Sequence, residues 1–367
     1  MRSSEATVVV QSGGKMIGKG AYGCIFSPPL VCRGQTKPKP GWKSNKLGKL
    51  TEVRDIKNEI LAAKILGPLP SSNKYFLLPE VDTLCKPAEL TDQKEVALKE
   101  CEPLEKYGIQ NMAQYEVEYG GKTLKSRLLG ADVSVSNFPF FDFMRDLLEI
   151  GAVLVLHGYI HNDLHANNIL VNAKFHPRLI DFGRSYLYSA INQELVDELS
   201  AYYNPELGQL TPECSAQHGV DEGIPFDTIL SDLSALKPGL KYGERILGTS
   251  RKEQIAEFKK FWESSLSVQK KDWPAFYKLY WPVVDSWAIG HNLLSILRKL
   301  TLSKQFVESA EWKQKQSVVK EVVRGLLRAS PRKRLDAVEA LALYDPMNDV
   351  VSGASGKAWL EKKEPHE

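Results

Sequence analysis

The stretch HNDLHANNIL, residues 161–170, sets two histidines, an aspartate and three asparagines in ten positions. It follows an apolar run, residues 138–157, with Phe140, Met144, Leu147, Gly151, Leu154 and Val155 at helical spacing. It precedes LIDFGRS, residues 179–185. Three readings compete: a metal site, a site for moving a charged group, and an ordinary polar turn. His157, His161 and His165 stand at i, i+4 and i+8 and would face together on one continuous helix. The NDL tripeptide and the Asn167–Asn168 pair predict that the helix ends near His161, and no cysteine cluster completes a closed zinc set. His157 is then expected on the core face or in a local hydrogen bond, and His161 as an orienting group for the turn.

The acids fit another chemistry. Asp163 and Asn168 are five apart, and Asp181 follows the apolar run RLI inside Asp-Phe-Gly. Phosphoryl transfer needs a carboxylate to take the acceptor's proton, oxygen ligands for Mg²⁺, and a cation on the phosphates. Asp163 suits the first task. Asn168 and Asp181 suit the second, since Mg²⁺ takes few, hard, oxygen ligands. Gly18, Gly20 and Gly23 form G-x-G-x-x-G. They lie between the strand-like runs TVVV (7–10) and CIF (24–26) rather than before a helix, which argues for a hairpin over a nucleotide and against a dinucleotide-binding turn. A plain glycine-rich hairpin explains the same residues equally well.

The chain's 367 residues, 43% hydrophobic and 25% charged, describe a globular protein large enough for two lobes. A net charge of +3 gives no reason to expect nucleic-acid binding. No run is long and apolar enough to span a membrane, and MRSSEATVVV lacks the features of a secretory leader. Cys24, Cys32, Cys85, Cys101 and Cys214 are odd in number and scattered, without a Cys-x-x-Cys pair. They are expected to be free thiols in a reducing compartment. Residues 51–66 read as a helix with Ile56, Ile60, Ala63 and Leu66 near one face, and residues 113–117 as a half-buried strand. NNILVN and RLIDF read as a small hairpin, residues 251–270, 281–298 and 313–328 as helices, and SPPLVCRGQTKPKPGWKSNK as a solvated loop. The last residues, SGKAWLEKKEPHE, are expected to form a charged, weakly ordered tail.

These motifs, in this order, resemble a eukaryotic-type protein kinase across residues 16–345. GKGAYGCIF (18–26) resembles the glycine-rich loop, HNDLHANNIL the catalytic loop and IDFGRS (180–185) the magnesium-binding loop. VVDSWAIG (283–290), with Asp285, resembles the apolar helix that supports the catalytic loop, and SPRKRL (330–335) the late segment with a structural arginine, Arg334. The wording of the catalytic loop is most similar to serine/threonine kinases of large DNA viruses. The resemblance implies an α+β, bilobal kinase-like fold: a β-rich N-lobe over residues 1–117, a hinge at 118–121, and a mainly helical C-lobe over 122–345. The C-lobe would carry an insertion near 215–280, with the tail at 346–367.

It also implies ATP and Mg²⁺ as cofactors and a protein substrate with a Ser/Thr acceptor, with no nucleic acid or membrane partner. The site would be cytoplasmic, in the host cell if viral, or in the virion. By resemblance Asp163 is the base and Asn168 and Asp181 hold the metal. Lys49, or else Lys46, grips the phosphates, paired with Glu59, or else Glu52. Gly18, Gly20 and Gly23 cover the phosphates, Ile25 and Leu170 sandwich the adenine, Val117 guards the back pocket, and Glu118 opens the hinge. The closing Pro-Glu is Glu213 or Glu206, either able to pair with Arg334. Two positions depart from the family. Asn162 replaces the arginine that often binds a phosphorylated activation loop, which predicts activity without that phosphorylation. His165 replaces the usual lysine, as in small-molecule phosphotransferases, and could donate a hydrogen bond to the γ-phosphate. A small-molecule kinase and a non-catalytic scaffold are therefore the competing functions. The stripe Ile255, Phe258, Phe261 and Trp262 is expected in a core, with a partner surface as its alternative.

Overall fold

The computed structural model describes residues 14–20, 23–35, 45–89, 100–130 and 137–362. The chain divides into two compact units. One is Met1–Gly120 with Ile180–Gly183, the other Gly121–Leu179 with Arg184–Glu367. The run TVVV lies outside the described residues.

The first unit is built on an antiparallel sheet of β1 (Lys15–Lys19), β2 (Gly23–Ser27), β3 (Lys46–Glu52), β4 (Glu80–Cys85) and β5 (Met112–Glu118), in the order β1-β2-β3-β5-β4. Gly18 thus belongs to a strand, and the hairpin runs from β1 to β2. β3 pairs with β5 along its whole length, Lys46 opposite Glu118 and Glu52 opposite Met112. Phe26, Leu50, Met112 and Leu104 fill a core in which each large apolar side chain contributes about 1.5–3 kcal/mol. Helix α1 (Val53–Leu66) begins two residues later than its periodicity predicts, because Thr51 and Glu52 complete β3. Its buried face is Ile56, Glu59, Ala62 and Leu66. A core that includes a glutamate turns the helix away from the face that apolar residues alone would choose. Two short helices, α2 (Ser72–Tyr75) and α3 (Glu102–Tyr107), complete the unit.

Two expectations fail in this unit. Cys24 is bonded to Cys101 and Cys32 to Cys85, leaving Cys214 as the free, buried thiol. The paired residues are 77 and 53 apart in sequence, so no local spacing announces them. With four of the five thiols bonded, the reducing-compartment inference loses its basis. The loop after β2 is also not wholly solvated. Leu30, Val31 and Cys32 are buried, and Gln114 on β5 accepts from the Leu30 N–H and donates to its carbonyl, both at 2.8 Å.

The second unit holds two small sheets and most of the helices. β6 (Lys122–Thr123), β8 (Ile169–Val171) and β9 (Pro177–Leu179) form one sheet, in the order β6-β8-β9, and β7 (Tyr159–Ile160) pairs with β10 (Tyr186–Leu187) in the other. The β8–β9 pair is the expected hairpin, with Ile169 opposite Leu179. Helix α4 (Phe140–Leu156) stops at the His157 cap, four residues before the expected end, and β7 follows. His157, His161 and His165 therefore do not share a helix face.

Then come α5 (Gln193–Leu199), α6 (Pro212–Asp221), α7 (Phe226–Leu236), α8 (Pro238–Leu247), α9 (Arg251–Ser264), α10 (Leu266–Gln269), α11 (Trp273–Tyr280) and α12 (Val284–Leu300). The expected helix 251–270 breaks at Ser265, which caps α9 and opens α10. Phe258, Phe261 and Trp262 are buried among Phe276, Trp273 and Tyr280, so the stripe is core. After α13 (Lys304–Glu308) and α14 (Ala310–Leu326), Asp336 and Glu339 close a capping box on α15 (Ala337–Tyr344), satisfying N–H groups that the helix start leaves open. The described part of the tail is not weakly ordered: α16 (Asp349–Ser352) and α17 (Ala354–Lys362) are helical, and the Trp359 indole donates to Asp336 at 2.9 Å. Among the described residues no helix is long and apolar enough to cross a membrane.

Candidate functional site

In the first unit the site centres on Lys49. Alternation along β3 turns Lys49 inward, opposite Tyr115 on β5. Its ammonium donates to Glu59 of α1 and, at 3.1 Å, to Asp181. Glu59 is 2% exposed, and burial raises its pKa while the Lys49 charge opposes that shift. Burial by itself would lower the Lys49 pKa, but the Asp181 and Glu59 carboxylates outweigh it and hold the ammonium well above its ordinary value. Lys46 takes other partners, Glu80 and Glu118, and Glu52 pairs with Arg54. The ten-residue spacing from Lys49 to Glu59 is bridged because α1 starts directly where β3 ends.

Asp181 adopts a left-handed conformation, φ 66°, rare for a residue with a Cβ. Its neighbours fix that turn. Phe182 is fully buried against Phe76, with ring centroids 5.9 Å apart and nearly perpendicular, and Asn58 donates to the Gly183 carbonyl at 2.8 Å. Asn58 and Asp55 are residues that sequence reasoning passed over. The Asp55 pKa is raised, first by burial and then by Glu52 and Asp181, and its Oδ2 is buried without a hydrogen-bond partner. Asp55 stands three residues before Asn58 and four before Glu59 on one helix, and that spacing was the available signal.

Of the three glycines, Gly23 alone is sterically compelled: a Cβ there would collide with the Leu50 carbonyl. The turn is closed by the Gly20 N–H donating to the Gly23 carbonyl at 2.8 Å. Gly18 and Gly20 leave ordinary room for a Cβ. Ile25 pairs with Lys49 across β2 and β3, while Val117 is buried and Glu118 exposed at the end of β5.

In the second unit the loop after β7 is fixed from beneath. The Asp285 carboxylate at the start of α12 accepts from the backbone N–H groups of His161 and Asn162 at 2.7 and 2.9 Å. Burial raises the Asp285 pKa, with the two backbone donors acting against that shift. Asn292, two turns along α12, donates to the Leu164 carbonyl at 2.8 Å. Asn162 takes up a left-handed conformation, φ 62°. Held this way, Asp163 accepts from Asn168 Nδ2 at 3.1 Å, and the same nitrogen donates to the Asp163 carbonyl at 2.9 Å. The His165 ring nitrogen lies 3.7 Å from the Asp163 carboxylate. Fully buried His161 accepts from the Asp163 N–H at 3.3 Å through Nδ1, an orienting contact. Leu170 is in the middle of β8, opposite Arg178.

Of the two glutamates expected as alternatives for the Arg334 partner, Glu213 meets it and Glu206 is exposed. Arg334 also donates to the Val283, Ala329 and Arg328 carbonyls, so a fully buried guanidinium has its donors satisfied. No protein-family model and no curated protein matches the chain.

Proposed function

We propose that this chain is a protein kinase of bilobal fold that transfers the γ-phosphate of ATP to Ser/Thr hydroxyls of proteins. The observation that carries this reading is the convergence on Lys49 of Glu59, ten residues on, and Asp181, 132 residues on. A buried lysine paired in this way has a fixed position and a permanent charge, as a phosphate clamp requires.

Taken singly, the Asp181 and Asn168 side chains are donors of the kind Mg²⁺ takes. Asp181 offers a carboxylate, and Asn168 spends its Nδ2 on Asp163, so its amide oxygen is not used in those bonds. When bound, the ion would neutralise charge on the phosphates. Asp163 would take the acceptor's proton, its carboxylate oriented by Asn168 and by the loop that Asp285 holds. The His165 ring nitrogen lies 3.7 Å from the Asp163 carboxylate, beside it without a direct hydrogen bond. Gly18, Gly20 and Gly23 would lie along the phosphates, with Ile25, Val117, Glu118 and Leu170 around the adenine.

A small-molecule acceptor is the second reading, favoured by His165 in place of lysine. The buried Glu213–Arg334 pair weighs against it, since it braces a segment of the kind that receives a polypeptide. Transfer of labelled γ-phosphate to casein by wild type and by Lys49→Met tests the proposal. Phosphoserine or phosphothreonine from wild type, with a large loss in the variant, is expected. Binding of Mg·ATP without transfer to any protein would shift the reading to a small acceptor.

A further inference from the structure

Cys24 stands one residue past Gly23 in β2, and its disulfide partner, Cys101, is the N-cap residue of α3. Burial alternates along β2. Cys24 and Phe26 are buried in the core with Leu50, Leu104 and Met112, while Ile25 between them stands opposite Lys49 on β3. One face of the strand is therefore bonded to α3, and the other belongs to the candidate site. Lys19 of β1 pairs with Cys24 across the hairpin, and its ammonium lies 3.0 Å from the Glu102 carboxylate. Among the described residues this is the cross-strand pair nearest the glycine turn, and both members are tied to adjacent residues at the start of α3.

The two ties are unequal. Lys19 and Glu102 are both mostly exposed, so water and salt screen their attraction and it holds the hairpin weakly. The disulfide is the strong tie. The other disulfide, Cys32–Cys85, is placed differently. Beside it the Arg33 N–H donates to the Lys86 carbonyl and the Ala88 N–H to the Val31 carbonyl, both at 2.8 Å. Those backbone bonds join the same two segments without help from sulfur.

We propose that the Cys24–Cys101 bond is a redox-sensitive tether of the glycine hairpin, and that the first unit holds ATP tightly only while the bond is closed. This rests on the kinase reading above, in which Gly18, Gly20 and Gly23 lie along the phosphates. A freed hairpin must be ordered again each time it closes on phosphate, and that cost is subtracted from affinity. Opening the bond takes a dithiol. One of its sulfurs attacks Cys24 Sγ, the S–S bond breaks and Cys101 leaves as a thiolate. The second sulfur then displaces Cys24 from the mixed disulfide. The two cysteines gain two electrons and two protons, and the dithiol becomes a disulfide. Cys24 and Cys101 are both sealed from solvent, so this exchange waits for the hairpin to lift from α3. Nucleotide binding and bond closure therefore favour each other reciprocally.

The experiment treats the full wild-type chain with dithiothreitol, with and without saturating Mg·ATP, and follows each released thiol by alkylation and peptide mass. Mg·ATP is expected to slow reduction of Cys24–Cys101 about tenfold and that of Cys32–Cys85 by no more than about twofold. The dissociation constant for Mg·ATP should rise about tenfold in the reduced protein and in Cys24→Ala with Cys101→Ala. Hydrogen exchange in β1 and β2 should quicken on reduction while β5 stays protected. Equal ATP affinity in the oxidised and reduced forms, or equal protection of both disulfides, would overturn the proposal and leave the kinase reading standing. Exchange quickened equally in β5 would also overturn it, since the bond would then serve general stability alone. No Mg·ATP binding by the oxidised protein would sink both readings together. The protection measurement uses wild type only, so a variant that fails to fold does not remove the test.

Discussion

Arg334 and Glu213, 121 residues apart, meet through two parallel hydrogen bonds of 2.7 and 2.8 Å, both side chains sealed from water. Removing one partner leaves the other charge buried without compensation, which typically costs about 3–5 kcal/mol. Glu213→Ala should therefore lower the melting temperature of the helical unit by several degrees. An unchanged melting temperature would show that Arg334 finds other partners without loss.

The disulfides make a separate forecast. Closing loops of 77 and 53 residues should stabilise the first unit by about 4 kcal/mol each on the chain-entropy account. Dithiothreitol should lower its melting temperature, and Cys24→Ala with Cys101→Ala should reproduce part of the fall. Free-thiol titration of the unfolded, unreduced protein should find one reactive cysteine. Five would mean that the bonds are absent.

Burial lowers the Lys237 pKa to about 7 and the His291 pKa to about 4. In both cases the unfolded chain binds the proton more readily, so stability rises with pH between the two values. For His291 that stability is present above about pH 6.5 and lost as pH falls toward about 4. For Lys237 the gain runs from about pH 7 up to the ordinary lysine value of 10.5. Melting temperature followed against pH should rise less steeply above pH 7 in Lys237→Met than in wild type. Parallel curves would assign the slope to other groups.

Asn162 carries no charge, and Leu207, Gly208 and Glu213 are held by Lys237, Trp287 and Arg334. On the proposed kinase function, phosphatase-treated wild type should therefore still transfer phosphate. Complete loss, restored by rephosphorylation, would contradict this.

Much of the candidate site was legible because short motifs keep their chemistry wherever they are placed. Asp163, Asn168 and Asp181 were read from local spacing, and β8–β9 from two apolar runs. Glu59 was assigned by resemblance, while the apolar periodicity of its helix chose another face, since a buried charged residue looks polar in sequence. The disulfides and the Lys237 bonds to Leu207 and Ser215 join residues tens of positions apart, and no local pattern encodes such a meeting. The early end of α4 at His157 follows from β7 pairing with β10, a partner that lies 26 residues downstream.

The most direct test of the central claim is Mg²⁺-dependent transfer of labelled γ-phosphate to casein, comparing wild type with Asp163→Asn. Phosphoserine or phosphothreonine formed by wild type, with a loss of about two to four orders of magnitude in the variant, is the predicted result for removal of a general base. Equal transfer by both proteins would remove Asp163 as the base, and no transfer or ATP binding by wild type would contradict the kinase account itself.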